Sequence, residues 1–373
     1  MNTIRILADD LTGALDTAAA FSGEVPVFLD SPPSRDSQYW NAPVSVVATP
    51  TRDVPIDTLP AHLEPVLDWF QSGSLAYKKV DSLLRGNTFA EIAWLLRHGE
   101  FTGAIFAPAF PAQGRITFGN RQWVASPGKE RVQVAQPLRE AFVEFQMTTG
   151  TTPESLGKGQ YIWIPEVLDD ADLDQLALLS AKKSLRCGSA GLAHAIARQQ
   201  GLAPSADAKS SPLSRKAGPT LLISASYQPV MYEQWDTLKA AVTPSAIAEQ
   251  ARPDEIARAI EIINGGAGQA WFDLSHRREM LQEEAAVLLQ QNVEQLVDGL
   301  TKPGQLLVVG GDTLLRICRA TGANALLAGA SVRTGWGCAR LTGGRWDGIP
   351  CYSRSGAFGA ADDLLTMIRL LEG

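Results

Sequence analysis

The feature that most constrains this chain is an alternation of short apolar runs with helical stretches, each run stopping at a polar or glycine-bearing loop. Ile4–Ala8 is too brief for a helix and stops at Asp9-Asp10; residues 11–21 follow, rich in helix formers, with Asp10 or Thr12 placed to cap their start. Similar runs at Val25–Leu29, Val44–Ala48, 76–80, Gly103–Ala107 and 161–165 alternate with helical patterns at 59–70, 91–96, 136–145, 173–181 and 188–198. Residues 111–129, with several Gly, Pro and Arg, read instead as a long loop. Short runs alternating with helices predict an α/β fold with a mainly parallel sheet.

At 373 residues the chain is long enough for two domains of ~150 residues each. The composition shifts at 202–219, where four serines and three prolines interrupt the periodicity. Strand-like runs then return at 220–223, 270–273 and 306–309, with an extended stretch at 348–353. Helical patterns fall at 232–241, 255–263, 277–300, 314–320 and 360–371. The expected organisation is a domain over 1–205, a linker over 206–219 and a domain over 220–373. Each is a mainly parallel sheet flanked by helices, with the active site expected in the interdomain cleft.

Composition narrows the class. Hydrophobic residues at 45% and charged residues at 20% exclude a disordered chain. A formal charge of 33 − 40 = −7 argues against a broad basic face for nucleic acid. Four cysteines without C-x-x-C spacing and four scattered histidines suggest neither a disulfide frame nor a zinc site. No run approaches the ~20 apolar residues of a membrane span, and no signal-peptide pattern opens the chain. The expectation is a soluble cytoplasmic protein without nucleic-acid or membrane partners; a homo-oligomer is left open.

The polar residues collect where strands end. Asp9-Asp10 follows the first run, Thr49-Pro50-Thr51-Arg52-Asp53 the third, and Asp81 to Asn87 the run that carries Lys78 and Lys79. Pro108 to Arg115 follows Gly103–Ala107. Each cluster has a plainer reading: Asp10 and Thr12 as helix caps, Arg85 in a surface ion pair, Gly86-Asn87 as a turn. Four such clusters at equivalent strand ends favour a pocket for a polyhydroxylated anion. In the second half, Ser224 to Ser226, Gly310 to Thr313, Thr334 to Gly337 and Ser355 to Gly359 are small-residue or glycine loops suited to phosphates. Neither a P-loop nor a G-x-G-x-x-G after the first strand is present.

Ala8-Asp9-Asp10-Leu11-Thr12-Gly13-Ala14, with Asp16-Thr17, resembles the opening signature of the four-carbon acid sugar kinases. Lys78 to Asn87 and Ala107 to Arg115 resemble that family's second and third motifs. Gly310 to Thr313 and Ser355 to Gly359 are similar to its nucleotide-domain motifs. The resemblance implies ATP-dependent phosphorylation of the terminal hydroxyl of threonate, erythronate or 3-oxo-tetronate. It implies that Asp10, Arg52, Lys79, Asp81, Ser82 and Arg85 face the sugar acid. Ser226, Gly335, Trp336, Gly337, Cys338, Gly356, Ala357, Phe358 and Gly359 would face ATP. Departures from the family pattern fall at Leu83, Ala225, 334–337, Arg354 and Ala357, and Trp336 is bulky for a nucleotide loop.

The mechanism this suggests is in-line transfer from Mg²⁺-ATP to the 4-hydroxyl, with Asp10 or Asp81 as general base. Arg52 and Arg85 would hold the substrate carboxylate, with Lys79 available to either anion. Asp312 is a candidate to orient Mg²⁺ through water or simply to cap its helix; the metal ligands stay unassigned. The alternatives are a non-catalytic sugar-acid-binding protein with a decayed nucleotide domain and an NAD-linked sugar-acid dehydrogenase.

Overall fold

The computed structural model describes residues 3–125, 130–134, 136–150, 152–153, 161–179, 183–205, 213–276, 280–333 and 335–372. Lys129, Ala181, Arg277, Thr334 and the 206–212 part of the expected linker lie outside the described residues. The chain divides into two compact units, 1–206 and 207–373.

In the first unit the strands are β1 (Ile4–Ala8), β2 (Val25–Leu29), β3 (Val44–Ala48), β4 (Leu75–Lys79), β5 (Gly103–Ala107), β6 (Arg115–Phe118), β7 (Arg121–Val124), β8 (Val132–Gln133), β9 (Thr148–Gly150), β10 (Tyr161–Trp163) and β11 (Ser184–Gly188). The helices are α1 (Leu11–Ala18), α2 (Leu59–Gln71), α3 (Thr88–His98), α4 (Leu138–Val143), α5 (Asp170–Leu178) and α6 (Ala190–Gln199). The main sheet runs β2-β3-β1-β4-β11-β5-β10-β9 and is parallel throughout. Its central strands are buried along their whole length, which is why they read as unbroken apolar runs. Helices α1, α5 and α6 pack together, as do α2, α3 and α4.

The segment expected to be a loop at 111–129 is partly ordered as antiparallel sheet, β6-β7-β8, in which Arg115 pairs with Val124 and Phe118 with Arg121. Gly119, at φ +59°, and Asn120, at φ +62°, make the tight turn between β6 and β7. Strand β11 escapes a reading by apolar runs because Arg186 interrupts it. That side chain is buried and bonds the carbonyl of Leu179.

The second unit holds β12 (Thr220–Ser224), β13 (Ala246–Ala248), β14 (Gln269–Asp273), β15 (Gln305–Val309), β16 (Ala325–Arg333), β17 (Trp336–Thr342) and β18 (Pro350–Arg354). Its helices are α7 (Pro229–Ala241), α8 (Pro253–Asn264), α9 (Gln282–Gly299), α10 (Gly311–Thr321) and α11 (Asp363–Glu372). The order is β13-β14-β12-β15-β18-β17-β16, parallel as far as β18 and then antiparallel through β17 and β16. Helices α7 and α11 bury Met231, Trp235, Leu364 and Ile368 against Leu222, Trp271 and Leu307 of the sheet. All four cysteines are buried and unpaired. Among the described residues, no helix is long and apolar enough to cross a membrane.

Candidate active site

Strand register builds the polar edge of the first unit. Ala8 pairs with Ala48 on one side and Lys79 on the other; Lys79 pairs with Gly188, and Gly188 with Ala107. The five strands therefore end on one line, and Asp9-Asp10, 49–52, 80–85, 108–115 and Ser189 leave the sheet together. This is the carboxyl edge, where open parallel sheets take ligands.

Arg52 is the hub. Its Nη1 donates to Asp10 Oδ2 at 2.9 Å, Nη2 to Asp10 Oδ1 at 2.8 Å, and Nε to Asp9 Oδ2 at 2.8 Å. Asp81 Oδ1 lies 4.0 Å from Nη2. Asp10 also caps α1 by accepting the Gly13 N–H at 3.0 Å. A Cβ on Gly13 would stand 2.5 Å from Asp10 Oδ1 and 2.6 Å from Lys79 Nζ, so glycine there admits both charges.

The turn after β4 folds around Asp81. Arg85 grips its carboxylate with Nε and Nη2, both at 2.8 Å, while the amides of Leu83 and Arg85 donate to Oδ2 at 3.2 Å. These bonds hold Leu84 at φ +57°, a left-handed conformation that costs a non-glycine residue ~1–2 kcal/mol. Gly86, at φ +77°, packs against the main chain of Arg52, where a Cβ would lie 2.5 Å from the carbonyl oxygen. The Asp81 turn and the Arg52 loop are thereby locked together.

Lys78 and Lys79 are successive strand residues and project to opposite faces. Lys78 is fully buried and pairs with the equally buried Glu91 of α3. Lys79 points toward Gly13 of α1 and, among the described residues, has no carboxylate within 4.0 Å. Its charge is therefore left available to a ligand.

The carboxyls are tuned differently. Burial pushes Asp10 up and neighbouring Asp9 adds to this, while Arg52 and Lys79 oppose without reversing it. Burial also acts on Asp9, but Arg52, Lys78 and Lys79 outweigh it and hold that carboxyl below its usual range. Asp81 is burdened by burial too, yet its hydrogen bonds and charge contact with Arg85, aided by Arg52, hold it far down. Of the two, Asp10 therefore takes up a proton more readily than Asp81.

The structure brings Asp10, Arg52, Lys79, Asp81 and Arg85 into one cluster. Ser82 sits in the same turn, its carbonyl accepting from Gln122 of β7 at 3.0 Å. Sequence reasoning did not assign Asp9, Asp16, Arg115 or His194. Asp16, one helical turn beyond Gly13, has its carboxyl raised by burial against the pull of Lys79 and His194. His194 is held neutral-favouring by burial, and its ring stands 6.2 Å from Phe110. Arg115 lies within electrostatic reach of Asp81 and Arg85. Asp9, Asp16 and Arg115 all belong to the quoted motifs; His194 carries no local signal.

The second unit forms its own edge. Ser224 pairs with Asp273 and Val309, and Val309 with Arg354. Because β17 is antiparallel, its first residues lie beside the end of β18, with Gly337 opposite Ser353. That register adds 335–338 to the loops beginning at 225, 310 and 355. Gly310, at φ +113°, precedes α10, and a Cβ on Gly356 would stand 2.0 Å from Ser226 Oγ. The side chains of Trp336 and Cys338 lie in the hydrophobic core, leaving their main chain for any contact at the edge. Phe358 is exposed, and Ala357 directs its N–H to Ser355 Oγ. Asp312 is exposed and accepts from Arg316 at 3.1 Å. Among the described residues, no group of three or more His, Cys, Asp or Glu could hold a metal ion.

Comparison with known proteins agrees with this division. A sugar-binding N-terminal domain family matches residues 4–158, and a nucleotide-binding C-terminal domain family matches 221–364. A D-threonate kinase of Salmonella typhimurium is 25% identical across 98% of both chains. A D-threonate kinase of Bordetella bronchiseptica is 27% identical across 97% of this chain and 96% of its own. The fold matches a solved Salmonella typhimurium protein described as a putative tRNA synthase, with a TM-score of 0.75 at 18% identity over 99% of both chains. With both domain families in order and its curated relatives aligned end to end, the chain belongs to the four-carbon acid sugar kinases, phosphotransferases that act on an alcohol.

Proposed function

We propose that this protein transfers the γ-phosphoryl group of Mg²⁺-ATP to the 4-hydroxyl of a four-carbon sugar acid: D-threonate, D-erythronate or 3-oxo-tetronate. On this reading residues 1–205 hold the sugar acid, 220–373 hold ATP, 206–219 connect them, and the enzyme works in the cytoplasm. The observation that carries it is the convergence of Asp10, Arg52, Lys79, Asp81 and Arg85 at one sheet edge. The names of the two full-length relatives favour D-threonate within the group.

Arg52 is committed to Asp9 and Asp10, so its role is to orient the carboxylates. The substrate carboxylate falls to Lys79 and to Arg85, whose side chain is 52% exposed and whose Nη1 is not used on Asp81. Asp10 receives the proton of the attacking 4-hydroxyl, for which a raised pKa suits it better than Asp81. Ser226 and the amides of 335–338 and 356–359 hold the triphosphate. Mg²⁺ would enter with ATP, held by phosphate oxygens and water, and would neutralise charge on the transferring phosphoryl group.

Two variants test the assignment. Asp10→Asn lowers kcat by ~10²–10⁴, the usual worth of general base catalysis. Asp81→Asn chiefly raises KM for the sugar acid, because Arg85 and the turn lose their anchor. An undiminished kcat in Asp10→Asn overturns the mechanism.

A further inference from the structure

The exit of β18 holds a buried polar knot. Asp363 accepts from Trp336 Nε1 at 3.0 Å and from Arg333 Nε at 3.1 Å, and its Oδ2 lies 3.3 Å from Arg354 Nε. The Arg354 side chain is 1% exposed and its guanidinium stands 5.0 Å over the Trp336 ring. Its Nη1 donates to the Ser355 carbonyl at 3.0 Å and to the Phe358 carbonyl; its Nη2 reaches Gln234 Oε1. Gln234 Nε2 donates to the same Phe358 carbonyl at 3.1 Å. Gly359, at φ +92°, passes so close that a Cβ would lie 2.8 Å from the Asp363 carboxylate.

In a trans peptide unit the C=O and the following N–H point in opposite directions. Drawing the carbonyls of Ser355 and Phe358 inward therefore turns the amides of Gly356 and Gly359 outward. We infer that Arg354 and Asp363 are positioning residues for the nucleotide: they fix two peptide units of the 355–359 loop so that the amides of Gly356 and Gly359 face its phosphates. Arg354 acts through the loop and contributes no direct phosphate contact. Asp363 joins the loop to the start of β17 through Trp336, so both glycine segments keep one geometry. The bulk of Trp336 is the floor of this knot.

The inference rests on the reading of 355–359 as a nucleotide loop, and the experiment separates the two. KM for Mg²⁺-ATP and for the sugar acid are measured in Arg354→Lys, Gln234→Met and Gly356→Val, with thermal midpoints in each. A lysine keeps the charge but cannot span two carbonyls and a carboxylate. Arg354→Lys is expected to raise KM for ATP about 10–100-fold, in line with lost hydrogen bonds to a charged group, with the acid KM within about twofold. Gln234→Met, a milder change, is expected to raise KM for ATP about threefold or more by releasing one bond to Phe358. An unchanged KM for ATP in both, or an equal rise in both KM values, overturns the positioning role. If Gly356→Val, which collides with Ser226, also leaves KM for ATP unchanged, the nucleotide reading itself fails. If that variant alone raises it, the reading stands and only the positioning role falls.

Discussion

Arg52 makes three hydrogen bonds to two carboxylates. A guanidinium so engaged fixes Asp9 and Asp10 in place. Lys79 and Gly13 form the more sensitive pair. Gly13→Ala adds helix propensity of roughly 1 kcal/mol, yet its methyl group would displace Lys79 Nζ and Asp10 Oδ1. The expected outcome is a nearly unchanged thermal midpoint with kcat/KM down about tenfold or more, checked by calorimetry beside steady-state kinetics. Acid sensitivity follows from the carboxyls. If Asp10 is the base, as proposed, it must be ionised to accept a proton, so kcat/KM is expected to fall as pH drops through a pKa raised above the ordinary ~3.9 of aspartate, and Asp10→Asn to remove that limb. Asp81 has the opposite shift: its depressed folded pKa stabilises the fold above pH ~3.9, and the benefit is lost as pH falls toward the folded value. A pH series of denaturation midpoints for wild type and Asp81→Asn reads this directly, the variant lacking Asp81's share of the acid-side loss.

At the level of elements, the buried Lys78–Glu91 pair joins β4 to α3 beneath the site. Breaking it with Lys78→Met leaves a buried carboxyl without its partner and is expected to cost ~3–5 kcal/mol by urea denaturation, whereas Lys78→Met with Glu91→Leu recovers most of that loss. The parallel strands around this pair are legible in sequence because burial on both faces demands unbroken apolar runs, as in Ile4–Ala8 and Val44–Ala48. Other elements are hidden for physical reasons. Arg186 breaks the pattern of β11 while being buried in it, and the β6-β7-β8 hairpin carries Arg115 and Arg121 where apolar residues would announce a strand. Strand β16, with Ala325, Ala328, Gly329 and Ala330, is too rich in small residues to read as one.

For the whole molecule, the sequence reveals which loops are polar, and register reveals which of them meet. Asp10, Asp81 and Arg85 stand out as motif residues, but the pairing of Arg85 with Asp81 and of Arg52 with Asp10 depends on side-chain geometry that no spacing encodes. Trp336 reads as a nucleotide-loop residue in sequence, and its indole is buried in the core, which leaves its main chain at the edge. The proposed division of labour predicts separable ligand footprints. In hydrogen exchange, a non-hydrolysable ATP analogue slows amides at 224–226, 310–311, 335–338 and 355–359, while the sugar acid slows 9–13, 49–52 and 79–87. The most direct measurement is ADP release on mixing the protein and Mg²⁺-ATP with each four-carbon acid in turn, with phosphorus NMR on the product. The account predicts ADP release dependent on D-threonate, D-erythronate or 3-oxo-tetronate, and a phosphate ester on carbon 4. No acid-dependent ADP release from any of the three, or an ester elsewhere on the chain, would contradict it.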